Sequence, residues 1–264
     1  MLLKFTSILF LVFVIKLGSF STLAQVITQD TTYFSNHRSL PLEFPKVNEL
    51  DQLVQHLGYA LVYDENCEQA RWVAYVLTKA ETTGTIERGD NFTIDPLVKT
   101  GTATKADYLK SGLDRGHLAP AADMKWSEQA MDESFYFSNM SPQLPAFNRG
   151  VWKRLEDKMR DWAISYDSIL IVTGPILTPN LPAIGVNQVC VPTHYYKVVV
   201  DFKKENAKAI GFILPNAGSK DDLQSFAVSI DSVEEKTGLD FFFQFNDVFE
   251  DKLESELCLE CWEW

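Results

Sequence analysis

The sequence predicts an α+β fold. Three observations carry that prediction. Short apolar runs rich in β-branched and aromatic residues recur along the chain as strands, while few segments show helical periodicity. Strands and helices are grouped and do not alternate as a βαβ series would. Residues 25–264 are enough for one domain with a substantial core, and no internal repeat or low-complexity tract divides them.

The first 24 residues read as a secretory signal peptide. Residues 1–4 give a short basic start, residues 8–15 an unbroken apolar run, and Thr22-Leu23-Ala24 the small residues that a signal peptidase reads. The apolar run is too short to span a bilayer, and no later stretch reaches about 18 apolar residues. The expectation is therefore a secreted or periplasmic protein beginning near Gln25 and without membrane attachment. No Cys near the cleavage point suggests a lipoprotein anchor.

Residues 60–63 and 72–77 are predicted strands, followed by a polar loop over 82–104 that is rich in Gly, Thr and Asp. Residues 118–122 read as loop around Pro120, and 127–134 as helix. The apolar triplet Phe135-Tyr136-Phe137 is expected as a strand that delivers Ser138 and Asn139 to a turn at Pro142. From 147 to 163, Val151, Leu155, Met159 and Trp162 recur every three or four residues, which is the apolar stripe of a helix. Residues 168–173 form a buried strand stopped by Gly174-Pro175. Residues 194–202 and 209–214 add two more strands, and 232–238 ends a helix on a glycine cap.

The formal net charge of −12 becomes −14 when Lys4 and Lys16 leave with the first 24 residues, a balance that repels polyanions at long range. The charge is uneven. Residues 105–161 hold nine basic and nine acidic side chains, whereas the last residues, 240–264, form an acidic tail. Cys67, Cys190, Cys258 and Cys261 allow three disulfide connectivities, which sequence alone leaves open. The CxxC spacing at Cys258 and Cys261 has neither the strand-to-helix context of a redox motif nor the second ligand pair of a zinc site.

Candidate chemistry centres on Asp114-Arg115-Gly116-His117, followed by Asn148, Glu156 and Arg160. Asn148, Trp152, Glu156 and Arg160 are successive +4 steps, each drifting about 40° around a regular helix, so they are expected on one broad face. Hydrolysis of a phosphodiester needs a base, positive charge against the developing anion, and an aligned nucleophile. His117 is the expected base, because imidazole titrates near neutrality; His194, at a strand entrance, is a weaker one. Asn148 can offer an amide oxygen to Mg²⁺, Glu156 can act on that ion through water, and Arg115, Arg160 and Arg88 can clamp phosphate oxygens. Plainer readings exist for several of these residues. Asp114 can be a turn or cap residue, Gly116 a packing requirement, Trp152 core, Gln143 a turn residue, and Glu156 with Arg160 a surface i,i+4 ion pair.

An ordered set of segments resembles the DNA/RNA non-specific endonuclease family with its ββα-metal active site. The segments are Trp72-Val73-Ala74-Tyr75, Arg88 with Asp95-Pro96, the run from Asp114 to Pro120, that from Ser138 to Gln143, that from Asn148 to Glu156, Thr173-Gly174-Pro175, and the run from Pro192 to Val198. They cover residues 61–239. The resemblance implies a central antiparallel sheet flanked by helices, with the histidine on a strand or loop and the metal-ligand asparagine on the following long helix. It implies that His117 activates water, Asn148 is the direct Mg²⁺ ligand (with Mn²⁺ as an alternative metal), and Glu156 orients waters on the ion. It further implies that Arg115, Arg160 and Arg88 support the phosphate and that Asn139 orients the site by holding the histidine or a water. DNA and RNA are the implied substrates, cut to 5′-phosphates. A phosphodiesterase acting on short or modified nucleotides is the alternative on the same scaffold, and a non-catalytic nucleic-acid-binding module is a third reading.

Overall fold

A computed structural model of the protein describes residues 44–202 and 207–264. The expected segment 1–24 lies outside them. Strands β1 (Gln52–Gln55), β2 (Ala60–Asp64) and β3 (Gln69–Thr78) open the domain as an antiparallel meander. After a long loop come helix α1 (Lys105–Tyr108), strand β4 (Asp114–His117), helix α2 (Glu128–Glu133) and strand β5 (Met140–Gln143). A π-helical turn, Phe147–Trp152, leads directly into helix α3 (Lys153–Tyr166). Strand β6 (Ser168–Pro175) follows, then the small hairpin β7 (Ala183–Ile184) and β8 (Val189–Cys190), and the long pair β9 (His194–Asp201) and β10 (Lys208–Pro215). Strand β11 (Ala227–Val228) and helices α4 (Ile230–Thr237) and α5 (Asp247–Ser255) complete the chain.

Seven strands form one sheet in the order β1-β2-β3-β6-β9-β10-β11, every neighbour antiparallel. Its central strands read as nearly continuous apolar runs because both faces are covered. On one face Val73, Tyr75, Ile169, Ile171, Val199 and Phe212 meet Leu155, Met159 and Trp162 of α3. On the other, Trp72, Ala74, Leu170, Val172 and Val198 meet Ile230 and Val233 of α4, Phe241, Phe242, and Leu253 of α5. This is the α+β architecture that the sequence predicts, and strands β2, β3, β6, β9 and β10 lie where it expects them.

Three local expectations are corrected. Phe135-Tyr136-Phe137 is not a strand: only Tyr136 makes an isolated bridge, to Thr93, and Phe137 begins a 3-10 turn. Its aromatic rings face a small core and not a ladder, and burial rather than a backbone preference is the main content of strand propensity. Pro142 sits within β5, opposite Arg115, and not in a turn. The helix after Phe147 is irregular at its start, because Gly150 (φ −111°, ψ −107°) departs from helical geometry, so even +4 spacing does not carry across it.

The acidic tail is a folded element. Ser229 and Asn246 cap α4 and α5 through their side chains, and Gly238 adopts the left-handed conformation that closes α4, as the sequence expects. Cys258 bonds to Cys261 and Cys67 to Cys190. The first of these bonds closes a short clip at the chain end, next to Trp262. That ring lies 4.4 Å from the Trp162 ring of α3, and the Lys208 ammonium sits 4.6 Å above it while donating to the Cys261 carbonyl. Trp262 is only 4% exposed. Replacing it with Ala should cost about 3–5 kcal/mol, as expected for emptying a buried tryptophan site. A thermal melt of Trp262→Ala that matches the unaltered protein would mean that the chain end does not hold α3.

Candidate active site

Strands β4 and β5 form a separate two-stranded ribbon with Asp114 opposite Gln143, Arg115 opposite Pro142, Gly116 opposite Ser141 and His117 opposite Met140. The ribbon sets His117 beside Arg88 and Arg115 and brings its Asp114 against Asn148 of the following helix. Gly116 is required by close packing: a Cβ there would lie 2.1 Å from the Gln143 side chain, which lies across it. Gln143 is fully buried, so it shapes the ribbon and is not merely a turn residue.

Asp114 joins strand to helix. Arg149 donates to both of its oxygens, at 2.8 and 2.6 Å, and Asn148 Nδ2 donates to Oδ2 at 2.9 Å. Burial pushes the Asp114 carboxyl up, but the bonds from Arg149 and Asn148 outweigh it and hold the group below its usual range. An ionised carboxylate only accepts, so the amide nitrogen of Asn148 must face it, which leaves Oδ1 free to meet a cation. Among the described residues no protein donor reaches that oxygen. Asp114 is therefore neither a turn nor a cap residue but a strand residue that fixes the asparagine.

His117 is 8% exposed and lies in an aromatic cage. The Phe135 ring meets it edge-on at 5.0 Å and Phe92 lies 5.9 Å away. Burial, then the charges of Arg88 and Arg115, depress its pKa to about 3, so the ring is neutral at physiological pH. Its Nε2 is buried without a hydrogen-bond partner among the described residues, an arrangement that costs about 1–3 kcal/mol. The two arginines are backed by the same rings: the Arg115 guanidinium lies 3.9 Å over Phe92 and that of Arg88 5.3 Å over Phe135. Among the described residues neither makes a salt bridge, so their forked donors remain open to an anion.

Asn139 is placed differently from the expectation. Its amide donates to the carbonyls of Ala119 and Ser134 and accepts from the Ala119 amide, all at 2.8–2.9 Å. It clamps the backbone just after His117, and among the described residues no bond joins it to the imidazole. The loop over 82–104 is pinned in a similar way: Asp95 is bonded at 2.8 Å to His56 and at 2.5 Å to Ser138, beside the residues that carry Arg88 and Phe92.

A second cluster lies farther along α3. Arg160 donates to Asp123 Oδ1 at 2.6 Å and to Asp157, so its guanidinium is spent on carboxylates and braces the fold rather than facing phosphate. The plainer alternative, an i,i+4 pairing of Glu156 with Arg160, is replaced by these two bridges. Asp123 is buried and also accepts from Tyr75 at 2.9 Å. Burial raises the Glu156 carboxyl, with Lys197 the main opposing influence, and burial lowers the Lys197 ammonium, with Glu156 opposing. Lys197 points from β9 over the Trp152 ring at 4.6 Å. Trp152 is fully buried, which is the core role. Asp123 and Lys197 are not singled out by the sequence patterns above, although a single lysine inside the apolar strand His194–Asp201 is a legible signal of a buried charge with a purpose. His194 is exposed, and its ring bonds to Thr193 Oγ1 at 3.1 Å.

The donor set suits a hard divalent cation. Asn148 offers a neutral oxygen whose orientation is fixed by Asp114, and Glu156, eight residues along the same helical run, offers a carboxylate in a partly buried setting.

Known proteins resemble this chain along most of its length. A family model described as DNA/RNA non-specific endonuclease matches residues 44–247. The mitochondrial nuclease EXOG of Danio rerio is 40% identical over 204 residues, covering 71% of this chain and 60% of its own length. Human mitochondrial endonuclease G is 37% identical over 207 residues, 73% of this chain and 70% of its own. The chain thus spans about three-fifths of the first relative's length. A solved chain from an EndoG/EndoGI complex superposes with a TM-score of 0.70 at 32% identity, covering 76% of this chain and 89% of that one. These relatives also correct the expected destination. Both are mitochondrial, which overturns the reading of a secreted or periplasmic protein; an apolar N-terminal run with basic flanks did not identify the compartment. Among the described residues no helix is long and apolar enough to cross a membrane. The match over residues 44–247 and the relatives' identity place this chain in the DNA/RNA non-specific endonuclease family.

Proposed function

We propose that this protein is a Mg²⁺-dependent endonuclease that hydrolyses phosphodiester bonds of DNA and RNA, with Mn²⁺ as an alternative metal and His117 as general base. The observation that carries the reading is a buried, neutral imidazole flanked by two guanidiniums that have no carboxylate partner among the described residues. Asn148 would hold the ion directly and Glu156 through water; bound there, the ion supplies positive charge against the anion that builds up at phosphorus. His117 takes a proton from water as its oxygen attacks phosphorus, and the bond to the 3′ oxygen breaks. That oxygen leaves with a proton from solvent, so a 5′-phosphate and a 3′-hydroxyl result. Arg115 and Arg88 hold the phosphate oxygens while Asn139, Asp114 and Arg160 position the groups around them.

One observation favours a narrower substrate. A net charge of −12 works against long polyanions, so short or modified nucleotides are a second reading of the same site. Rates on plasmid DNA and on a dinucleotide diester, measured at low and at physiological salt, separate the two.

His117→Ala should lower turnover on plasmid and RNA by about 10² to 10⁴ without unfolding the chain; digestion at the unaltered rate would remove His117 as the base. Asp114→Ala frees the Asn148 amide to rotate, so the Mg²⁺ concentration for half-maximal rate should rise by about 10- to 100-fold, with most activity recovered at saturating metal. An unchanged metal requirement would mean that Asp114 does not orient a ligand. Because the folded pKa of His117 is depressed to about 3, the imidazole should remain a competent base as pH falls through 6.5 and 5. A limb in kcat/KM near pH 6.5 that vanishes in the His117 variant would show that the aromatic cage opens to solvent.

A further inference from the structure

The sheet face opposite the active site carries a group of carboxylates that the nuclease chemistry does not use. Asp231 and Glu234 on α4 and Glu254 on α5 each place one carboxylate oxygen within 4.8 Å of the others. Among the described residues no lysine or arginine pairs with any of the three: the nearby Lys46 is bonded to Asp240 and Lys236 to Glu235. Glu254 is 7% exposed, and its Oε1 is buried with no hydrogen-bond partner. Glu234 is oriented by accepting the Phe241 amide at 2.7 Å. Burial, followed by the charges of Glu234, Glu250, Asp231 and Asp240, pushes the Glu254 carboxyl up to about 8. Three carboxylates in such proximity need a proton or a cation among them.

We propose that Asp231, Glu234 and Glu254 form a calcium site that fastens α5 to α4. An all-oxygen donor set drawn from two helices, with Asp231 exposed at its rim, suits Ca²⁺, which accepts six to eight oxygens in flexible geometry and completes its shell with water. Zinc would favour nitrogen or sulfur donors, and magnesium a stricter octahedron. The buried Oε1 of Glu254 gains a partner, and the repulsion between the helices is replaced by attraction to one ion. The site is structural, and the inference does not rest on the proposed nuclease activity, since α4 and α5 pack on the face away from α3.

The test uses the full chain carrying Asn148→Ala, so that the proposed catalytic metal position is silenced, after removal of divalent ions with EDTA. Titration with calcium chloride by calorimetry should give one ion per chain at submillimolar affinity, and the melting temperature should rise by several degrees in millimolar calcium. Glu254→Gln, close to isosteric, should weaken binding by at least tenfold and remove most of the thermal shift, since losing a direct ligand exceeds the roughly 10- to 100-fold cost of losing a supporting group. Asp231→Asn is exposed and should leave the fold intact while weakening calcium in the same way. Absence of calcium heat and of a thermal shift would overturn the proposal. So would calcium binding that both variants leave unchanged.

Discussion

Helix α3 lies across one face of the antiparallel sheet, and everything in the candidate site depends on that packing. Leu155, Met159 and Trp162 fix its depth against Val73, Ile171 and Phe212, and this contact determines where the polar side of the helix meets the strands. Glu156 and Lys197 are consequently brought together in a setting with little water, along with Asp123 and Arg160. Buried charges of this kind contribute little net stability, yet deleting one partner typically costs about 3–5 kcal/mol because the other is left stranded. Such a cluster is therefore better understood as holding geometry than as holding the fold. It makes the position of Glu156 insensitive to surface fluctuation.

The two titratable groups of the site are pushed in opposite directions by their surroundings. His117 is lowered by burial and two guanidiniums, while Glu156 is raised by burial that Lys197 only partly offsets. These surroundings keep the imidazole free to accept a proton, while the Lys197 charge opposes protonation of Glu156. They also reconcile the acidic composition with an anionic substrate. The long-range field is negative, but Arg88 and Arg115, each on an aromatic face and without a carboxylate partner among the described residues, present local positive charge where a phosphate would sit.

The strands with continuous apolar character were legible because coverage on both sheet faces writes an unmistakable pattern, as in residues 168–173 and 194–202. Strand β4 was harder to see: Asp114-Arg115-Gly116-His117 has no apolar alternation, and it is a strand only because Met140–Gln143 lies beside it. Phe135-Tyr136-Phe137 misled for the converse reason, its rings being needed around His117 and Phe92. His117, Asn148, Glu156, Arg115 and Arg88 were singled out from residue type and order. The parts played by Asp114, Asp123 and Lys197 were not, since each acts through a contact that is distant in sequence, such as the 34-residue separation between Asp114 and Asn148. Arg160 was read as a phosphate clamp because sequence shows its charge and not the carboxylates that occupy it.

The irregular turn at Phe147–Trp152 constrains how such a site can vary. A π-helical turn amounts to one extra residue inserted into an otherwise ordinary helix. Deleting Gly150 would let the helix close into regular form, and everything before the deletion would rotate by about 100° relative to the remainder of the helix. Asn148 would swing away from Asp114 while Glu156 stayed in place. The length of this helical run between the asparagine and the glutamate therefore cannot change by one residue without dismantling the site.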